Sequence, residues 1–261
     1  MNIQEVAERL LEAEKNKQPI DPLTDIFPDI SVDEAYYIQQ QQIREKVTNG
    51  AVIVGKKIGL TSKVMQNMFQ VNEPDYGHIL DDMVHLDGDT LSLDELVQPK
   101  LEFEIAFVLK KELTGPGVTI LDVVEATDYI APAFEVIDSR IKDWKIRFED
   151  TVADNGSSAK VIIGGKPTRL EDVDLQHIGM VVYKNGKYLD SATGAAVMGN
   201  PIRAVAWLAN ALGKYDISLH AGEMVLSGAL SAAVPIEHGD TFTAEFAHIG
   251  TVSASFNKKG E

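Results

Sequence analysis

The sequence predicts an α+β fold: a helical N-terminal lobe followed by a mixed β-sheet curled into a barrel or roll. Three observations point there. The first fifty residues carry helical periodicity and a capping box. From residue 51 the apolar residues come in short runs separated by Gly, Pro and Asn-Gly turns, the signature of many short strands with few helices. The run Pro99 to Leu109 alternates as a strand yet is apolar on both faces, apart from two carboxylates. The expected organisation is a lobe over residues 1–50 and a β-rich domain over 51–261, folded as one structural unit.

The 261 residues are 44% hydrophobic and 25% charged, ample for a closed core. A net charge of -16 repels phosphate backbones, so nucleic acid is not an expected partner. There is no cysteine, which removes disulfides, thiolate nucleophiles and sulfur metal sites together. No apolar run reaches the roughly 18 residues of a membrane helix, so no membrane partner is expected. Met1-Asn2-Ile3-Gln4-Glu5 carries neither a basic n-region nor an apolar h-region, and a cytoplasmic location is expected.

Within the lobe, Ile3, Val6, Ala7, Leu10 and Leu11 share a helical stripe over 3–16. A connector spans Pro19 to Pro28. Ser31 and Glu34 form the capping box of a second helix that ends near Val47, before the Asn49-Gly50 turn. Ala51 to Gly55 is a short apolar strand leading into Lys56-Lys57-Ile58-Gly59-Leu60-Thr61-Ser62. A helix follows from Ser62 to about Phe69, then a loop at Glu73-Pro74-Asp75-Tyr76-Gly77. Ser92 to Leu96 is a short helical piece. Gly115-Pro116-Gly117 breaks the chain, and Thr119 caps the next helix. Tyr129 to Ile137 is a second buried strand, containing Glu135, and Val161 to Ile163 a third. Asn185-Gly186 marks a hairpin within Ile178 to Lys187. Asn200 and Pro201 open a helix over Ile202 to Leu212. Gly222 to Gly228 reads as strand then turn, and Thr241–Phe246 with Thr251–Phe256 as a closing hairpin.

The chemistry centres on carboxylates where apolar residues belong. Glu102 and Glu104 project to one side of their strand, with Cα atoms roughly 7 Å apart. That face continues as Ala106 and Val108. Buried like charges need compensation, either from Lys or Arg across the sheet or from a cation. Glu135 adds a third carboxylate among Ala133, Phe134, Val136 and Ile137, which favours the cation. Three oxygen donors plus water suit Mg²⁺ or Mn²⁺. A lysine beside such a site can stabilise an enolate oxygen; spacing leaves Lys56 and Lys57 both open. Asp75 is a candidate acid or base, or an Asx-turn residue. Asp81 and Asp82 read as solvated or capping. Asp154, Asn155, Ser157 and Ser158 form a polar cluster that suits a substrate carboxylate, or a plain turn. The six histidines lack metal-ligand spacing and read as structural or exposed. There is no Gly-x-Gly-x-x-Gly or P-loop, and Ser227-Gly228 lacks the flanking glycine of a nucleophile elbow.

Assembled, these stretches resemble a known family. Lys57-Ile58-Gly59-Leu60-Thr61-Ser62, Glu73-Pro74-Asp75-Tyr76-Gly77, Glu102-Phe103-Glu104-Ile105-Ala106-Phe107-Val108 and Glu135-Val136-Ile137-Asp138-Ser139-Arg140 look like the 2-keto-4-pentenoate hydratases. So do Thr151 to Asn155 and Gly222 to Gly228. The sister 4-oxalocrotonate decarboxylases, in the same fumarylacetoacetate hydrolase superfamily, share them. Asp143-Trp144-Lys145-Ile146 and Ile79-Leu80-Asp81-Asp82-Met83 are nearer the hydratases, whereas Ser231-Ala232-Ala233-Val234 is nearer the decarboxylases.

The resemblance implies the fumarylacetoacetate hydrolase type of sheet and a homo-oligomeric lyase of meta-cleavage aromatic degradation, with the neighbouring pathway enzyme as a candidate partner. It implies hydration of 2-hydroxypenta-2,4-dienoate to 4-hydroxy-2-oxopentanoate, with 4-oxalocrotonate decarboxylation as the alternative. It places the metal carboxylates on Glu102, Glu104 and Glu135, the active-site lysine on Lys57, and substrate contacts on Leu80, Ser157, Ser158 and Ser227. Asp75 is the expected proton-transfer group. A non-catalytic metal- or carbohydrate-binding module is the more distant alternative.

Overall fold

A computed structural model describes residues 1–258; residues 259–261, the end of the expected β-rich domain, lie outside the described residues. Helices α1 (Ile3–Asn16), α2 (Leu23–Ile26) and α3 (Val32–Thr48) come first. The Ser31–Glu34 capping box forms as read: the Ser31 hydroxyl accepts from the Glu34 amide, and the Glu34 carboxylate accepts from the Ser31 amide at 2.9 Å. Val6, Leu10, Leu23 and Ile38 enter one core with the aromatic residues of both sheets.

The remaining elements are β1 (Ile53–Gly59), α4 (Lys63–Phe69), β2 (Asp75–Leu80), β3 (Val84–Leu86), β4 (Thr90–Ser92), β5 (Lys100–Leu109), α5 (Ile120–Ala126), β6 (Thr127–Ile137), α6 (Phe148–Ala153), β7 (Ser158–Ile163), β8 (Gly179–Lys184), β9 (Lys187–Thr193), α7 (Pro201–Leu212), β10 (Met224–Leu226), β11 (Val234–Pro235), β12 (Thr241–Phe246) and β13 (Gly250–Asn257). One mixed sheet runs β2-β1-β10-β5-β6-β7-β3, with β11 also on β5; a second runs β4-β13-β12-β8-β9. Phe103 and Phe134 meet edge to face at 5.4 Å, and Phe103 reaches Phe242 of the second sheet at 6.4 Å. The α+β class therefore holds, as a roll of two packed sheets without a closed barrel.

The roll stays open because β2 is an edge. Its outward backbone groups are met by side chains: Asn155 Oδ1 accepts from the His78 amide at 2.8 Å, and Asn155 Nδ2 donates to the His78 carbonyl at 2.9 Å. Gln39 of α3 donates to the Tyr76 carbonyl at 2.9 Å. Amide side chains thus do at β2 part of what a next strand would do.

Two local expectations change. Asp75-Tyr76-Gly77 is not a loop; it opens β2, paired antiparallel with Ile58 and Gly59 of β1. Strand pairing there overrides the turn chemistry of Pro74. The first strand also runs on to Gly59 rather than stopping at Gly55, because both β2 and β10 flank it. On the other edge of β5, β10 covers Ala106 to Val108 while β11 covers only Lys100 and Leu101. The gap between them is filled by the chain from Ser227 to Ala233, directly beside Glu104.

Candidate active site

Register brings the carboxylates together. Glu102 of β5 lies opposite Glu135 of β6, and Glu104 follows two residues along on the same face. Carboxylate oxygens of all three lie within 4.8 Å of one another. Glu104 and Glu135 are fully buried. Like charges placed directly opposite across a sheet are destabilising, so the pairing needs a counter-charge.

Lys57 supplies part of it. Gly77 and Leu226 flank it from β2 and β10, and its Nζ stands 3.5 Å from Glu135 Oε2. The same ammonium donates to the Gly156 carbonyl at 3.0 Å. Of the two neighbouring lysines, Lys57 faces the carboxylates, whereas Lys56 points the other way and pairs with Glu223 at 3.4 Å. Asp75, also buried, accepts from Thr151 Oγ1 at 3.3 Å and leaves its other oxygen unbonded. Gly59 has no room for a side chain, since a Cβ there would fall 2.0 Å from Asp75 Oδ1.

Four carboxyl groups and one ammonium leave the pocket over-supplied with negative charge. Burial pushes Glu102 up to about 7, with Lys57 opposing and Glu135 and Asp75 adding to the rise. Burial, then Glu135 and Glu102, lift Glu104 well above the usual carboxylate range. Glu135 and Asp75 are raised by burial in the same way, against the pull of Lys57. Burial opposes the Lys57 charge, yet Glu135, Asp75, Glu102 and Glu104 together hold its pKa above the ordinary lysine value. Glu104 accepts one bond, from the Gly228 amide at 2.7 Å, while its Oε1 and both Glu135 oxygens have no hydrogen-bond partner. Buried carboxylate oxygens left open in this number fit a hard divalent cation and water.

Lys57, Asp75 and Glu102 line a cavity of about 1120 Å³. Its outer wall is mostly apolar, with Leu60, Met65, Met68 and Phe69 on one side and Trp144, Ile146, Phe148 and Leu230 on others. Of the expected substrate contacts, Ser157 is in the wall, its hydroxyl 3.3 Å from Asp154. Ser158 starts β7 behind Glu135 and Ser227 precedes Gly228; both hydroxyls are buried and unpartnered by hydrogen bonds. Leu80 packs in a second apolar cluster with Ile79, Met83, Ala106 and Leu226. Asp154 and Asn155 turn inward, Asp154 to Arg140 at 2.6 Å and Asn155 to β2. Asp81 accepts from the Val52 amide at 2.8 Å, a capping role.

Three groups escaped the sequence reading. Thr151 serves Asp75, and the Gly156 carbonyl serves Lys57. Lys100 stands 4.1 Å over the Trp144 ring at the cavity wall. The first two lie some 76 and 99 positions from their partners, beyond any local spacing.

The pattern of the fumarylacetoacetate (FAA) hydrolase C-terminal family matches residues 63–257. The chain belongs to the fumarylacetoacetate hydrolase family. Within it, the chain is 45% identical over 258 residues to the 2-hydroxyhexa-2,4-dienoate hydratase of Comamonas testosteroni, covering 98% of each chain. It is 42% identical to the 2-keto-4-pentenoate hydratase of Paraburkholderia xenovorans, covering 97% of this chain and 94% of that one. Among solved structures it resembles the 4-oxalocrotonate decarboxylase of Pseudomonas putida G7, complexed with magnesium and adipate. That likeness has a TM-score of 0.95 at 40% identity over 97% of each chain. The family pattern spans Glu102, Glu104 and Glu135, and Lys57 lies just before it.

Proposed function

We propose that the protein is a lyase that hydrates 2-hydroxypenta-2,4-dienoate, through its 2-oxo-3-enoate tautomer, to 4-hydroxy-2-oxopentanoate. The observation that carries this is a buried three-glutamate cluster beside Lys57, with Lys57 and Glu102 lining a cavity of mixed polar and apolar wall, in a chain matched end to end by hydratases.

Glu102, Glu104 and Glu135 would hold Mg²⁺ or Mn²⁺; the neighbouring decarboxylase structure carries magnesium. When bound there, the cation would supply Lewis-acid chemistry for the 2-oxo-acid end of the substrate. Lys57 keeps its proton, held by Glu135 and the Gly156 carbonyl, and presents a fixed positive charge to the C2 oxygen. The dienol ketonises as its O–H proton leaves and C5 gains one. Water then adds at C4, losing a proton, while negative charge grows on the C2 oxygen, opposite Lys57; the enolate returns to the ketone as C3 takes a proton. Asp75 moves the proton: burial raises its pKa, one oxygen is unbonded, and Thr151 fixes the other. Ser157, Ser158 and Ser227 offer hydroxyls around the carboxylate end, whereas Leu80 lies in the separate apolar cluster with Ile79, Met83, Ala106 and Leu226. A homo-oligomeric, cytoplasmic enzyme of aromatic catabolism follows from the same reading.

One observation favours a second reaction. The decarboxylase likeness spans 97% of each chain, and Ser231-Ala232-Ala233 lines the cavity. Loss of CO₂ from 2-oxohex-3-enedioate would use the same residues. Separate incubations with 2-hydroxypenta-2,4-dienoate and with 2-oxohex-3-enedioate decide between them. Hydration of the first without CO₂ from the second is expected; CO₂ release from the second without hydration of the first would overturn the hydratase assignment.

A further inference from the structure

The Lys57 ammonium has a second anchor besides Glu135, and that anchor has an unusual build. Residues Asn155, Gly156 and Ser157 take φ values of 55°, 60° and 55°, three left-handed residues in a row. Only the middle one is glycine. Non-glycine residues in this region are strained and persist where the surroundings over-determine them. Here the surroundings are visible. The Asn155 amide is spent on both backbone groups of His78, at 2.8 and 2.9 Å. His78 in turn meets Gln39 Oε1 at 3.1 Å through Nδ1, and Gln39 also donates to the Val152 carbonyl at 2.7 Å, just before this loop. The Asp154 carboxylate takes the Ser157 hydroxyl at 3.3 Å.

The outcome of this clamping is the direction of one carbonyl. Gly156 O faces Lys57 Nζ at 3.0 Å. The fit is tight on both sides. A Cβ on Gly156 would stand 3.1 Å from Lys57 Cδ, and a Cβ on Gly77 would fall 2.2 Å from the Asn155 carbonyl oxygen. We infer that Asn155 is a positioning residue: by clamping the loop to strand β2 it aims the Gly156 carbonyl that fixes Lys57. Asn155 touches no reacting atom. It acts through Gly156 on Lys57, and so on the charge that develops at the C2 oxygen; in this the inference rests on the proposed function. The carboxylate cluster does not depend on it, because Glu102, Glu104 and Glu135 are placed by β5 and β6.

The test compares Asn155→Ala, Asn155→Asp and Gly156→Ala with the wild type, each as full chain with Mg²⁺. Asn155→Asp keeps the acceptor for the His78 amide but loses the donor to its carbonyl. Gly156→Ala leaves the Asn155 bonds alone and crowds Lys57 directly. Three readouts are taken: steady-state kinetics, Mg²⁺ affinity by calorimetry without substrate, and the ¹⁵N–¹H signal of the Lys57 ammonium. Asn155→Ala and Gly156→Ala should each lower kcat by about 100-fold, the loss that goes with an ångström-scale misplacement. KM and Mg²⁺ affinity should stay within about twofold, and the Lys57 signal should shift or broaden. Asn155→Asp should fall between them and the wild type. Unchanged kcat with an unchanged Lys57 signal in Asn155→Ala overturns the inference. So does an equal loss of Mg²⁺ affinity, which would make the loop a support for the carboxylates. Should Asn155→Ala fail to fold, Asn155→Asp, which removes only the bond to the His78 carbonyl, decides by the same criteria. Should the wild type turn over neither 2-oxo acid, the proposed function fails, and the Lys57 signal alone tests the positioning.

Discussion

Two buried ionic clusters, one on the paired strands β5 and β6 and one in the segments between β6 and β7, are built on opposite principles. Around Arg140, every charge is answered. Its guanidinium donates to the Asp154 carboxylate at 2.6 Å and to the backbone carbonyls of Asp138, Asp154 and Ser158. Asp154 Oδ2 also accepts from the Arg140 amide at 3.0 Å and from Ser139 at 3.1 Å. Around Glu102, Glu104 and Glu135, one lysine faces several carboxylates and three oxygens stay open. Both clusters suffer the same desolvation. A closed network fixes a structure; an open one with excess charge of one sign is a place prepared for something to bind. The difference separates structural from functional polar groups without reference to any relative.

The contrast can be broken most forcefully at Glu104. Glu104→Gln keeps the shape and removes one charge; turnover should fall by about 1000-fold or more, equivalent to roughly 4 kcal/mol of lost stabilisation. Mg²⁺ affinity should fall with it, while urea unfolding of the metal-free protein shows no loss of stability. Substituting the closed cluster should do the reverse. Arg140→Met leaves the buried Asp154 unanswered and should cost about 3–5 kcal/mol in urea unfolding. The Mg²⁺ affinity of the remaining folded protein should be unchanged.

Acidity sharpens the same division. Glu102 is raised to about 7 in the folded protein, and Glu104 and Glu135 are raised too. The folded state therefore holds protons that the unfolded chain releases near the ordinary glutamate value. The contribution of these groups to stability is largest below that value and is lost as pH rises, that of Glu102 through about 7. Cation binding needs the ionised form, so its affinity runs the other way. Thermal unfolding with and without Mg²⁺ should show a small stabilisation by the ion at pH 5.5 and a larger one at pH 8. In Glu102→Gln this pH dependence should shrink. The smallest effect is expected outside both clusters. Glu95, paired with Lys160 at 3.8 Å near the surface, should tolerate replacement by Gln with less than about 0.5 kcal/mol of change and ordinary turnover.

The carboxylates were legible in the sequence because a strand writes its chemistry at a period of two. Glu102, Glu104 and Glu135 stand out against apolar neighbours on strands whose limits were close to those observed. Lys57 was narrowed by spacing to one of two residues, and only the pairing of β1 with β2 and β10 separates it from Lys56. Asp75 looked like a turn because Pro74 precedes it; the β1 partner that makes it a strand is nonlocal. The Asp154 cluster could be seen as polar but not sorted, since Arg140 answers one member and His78 another. The open roll was not separable from a closed barrel, because an asparagine side chain capping an edge strand leaves no periodic trace.

The most direct measurement is the turnover of 2-hydroxypenta-2,4-dienoate by protein stripped with EDTA and then titrated with Mg²⁺, with Glu104→Gln in parallel. The dienoate's ultraviolet absorbance reports its loss. The stripped wild type should be inactive and recover saturably as Mg²⁺ is added, whereas the variant should not recover. Full turnover by the metal-free wild type, or equal recovery by the variant, would contradict a catalytic cation on Glu102, Glu104 and Glu135.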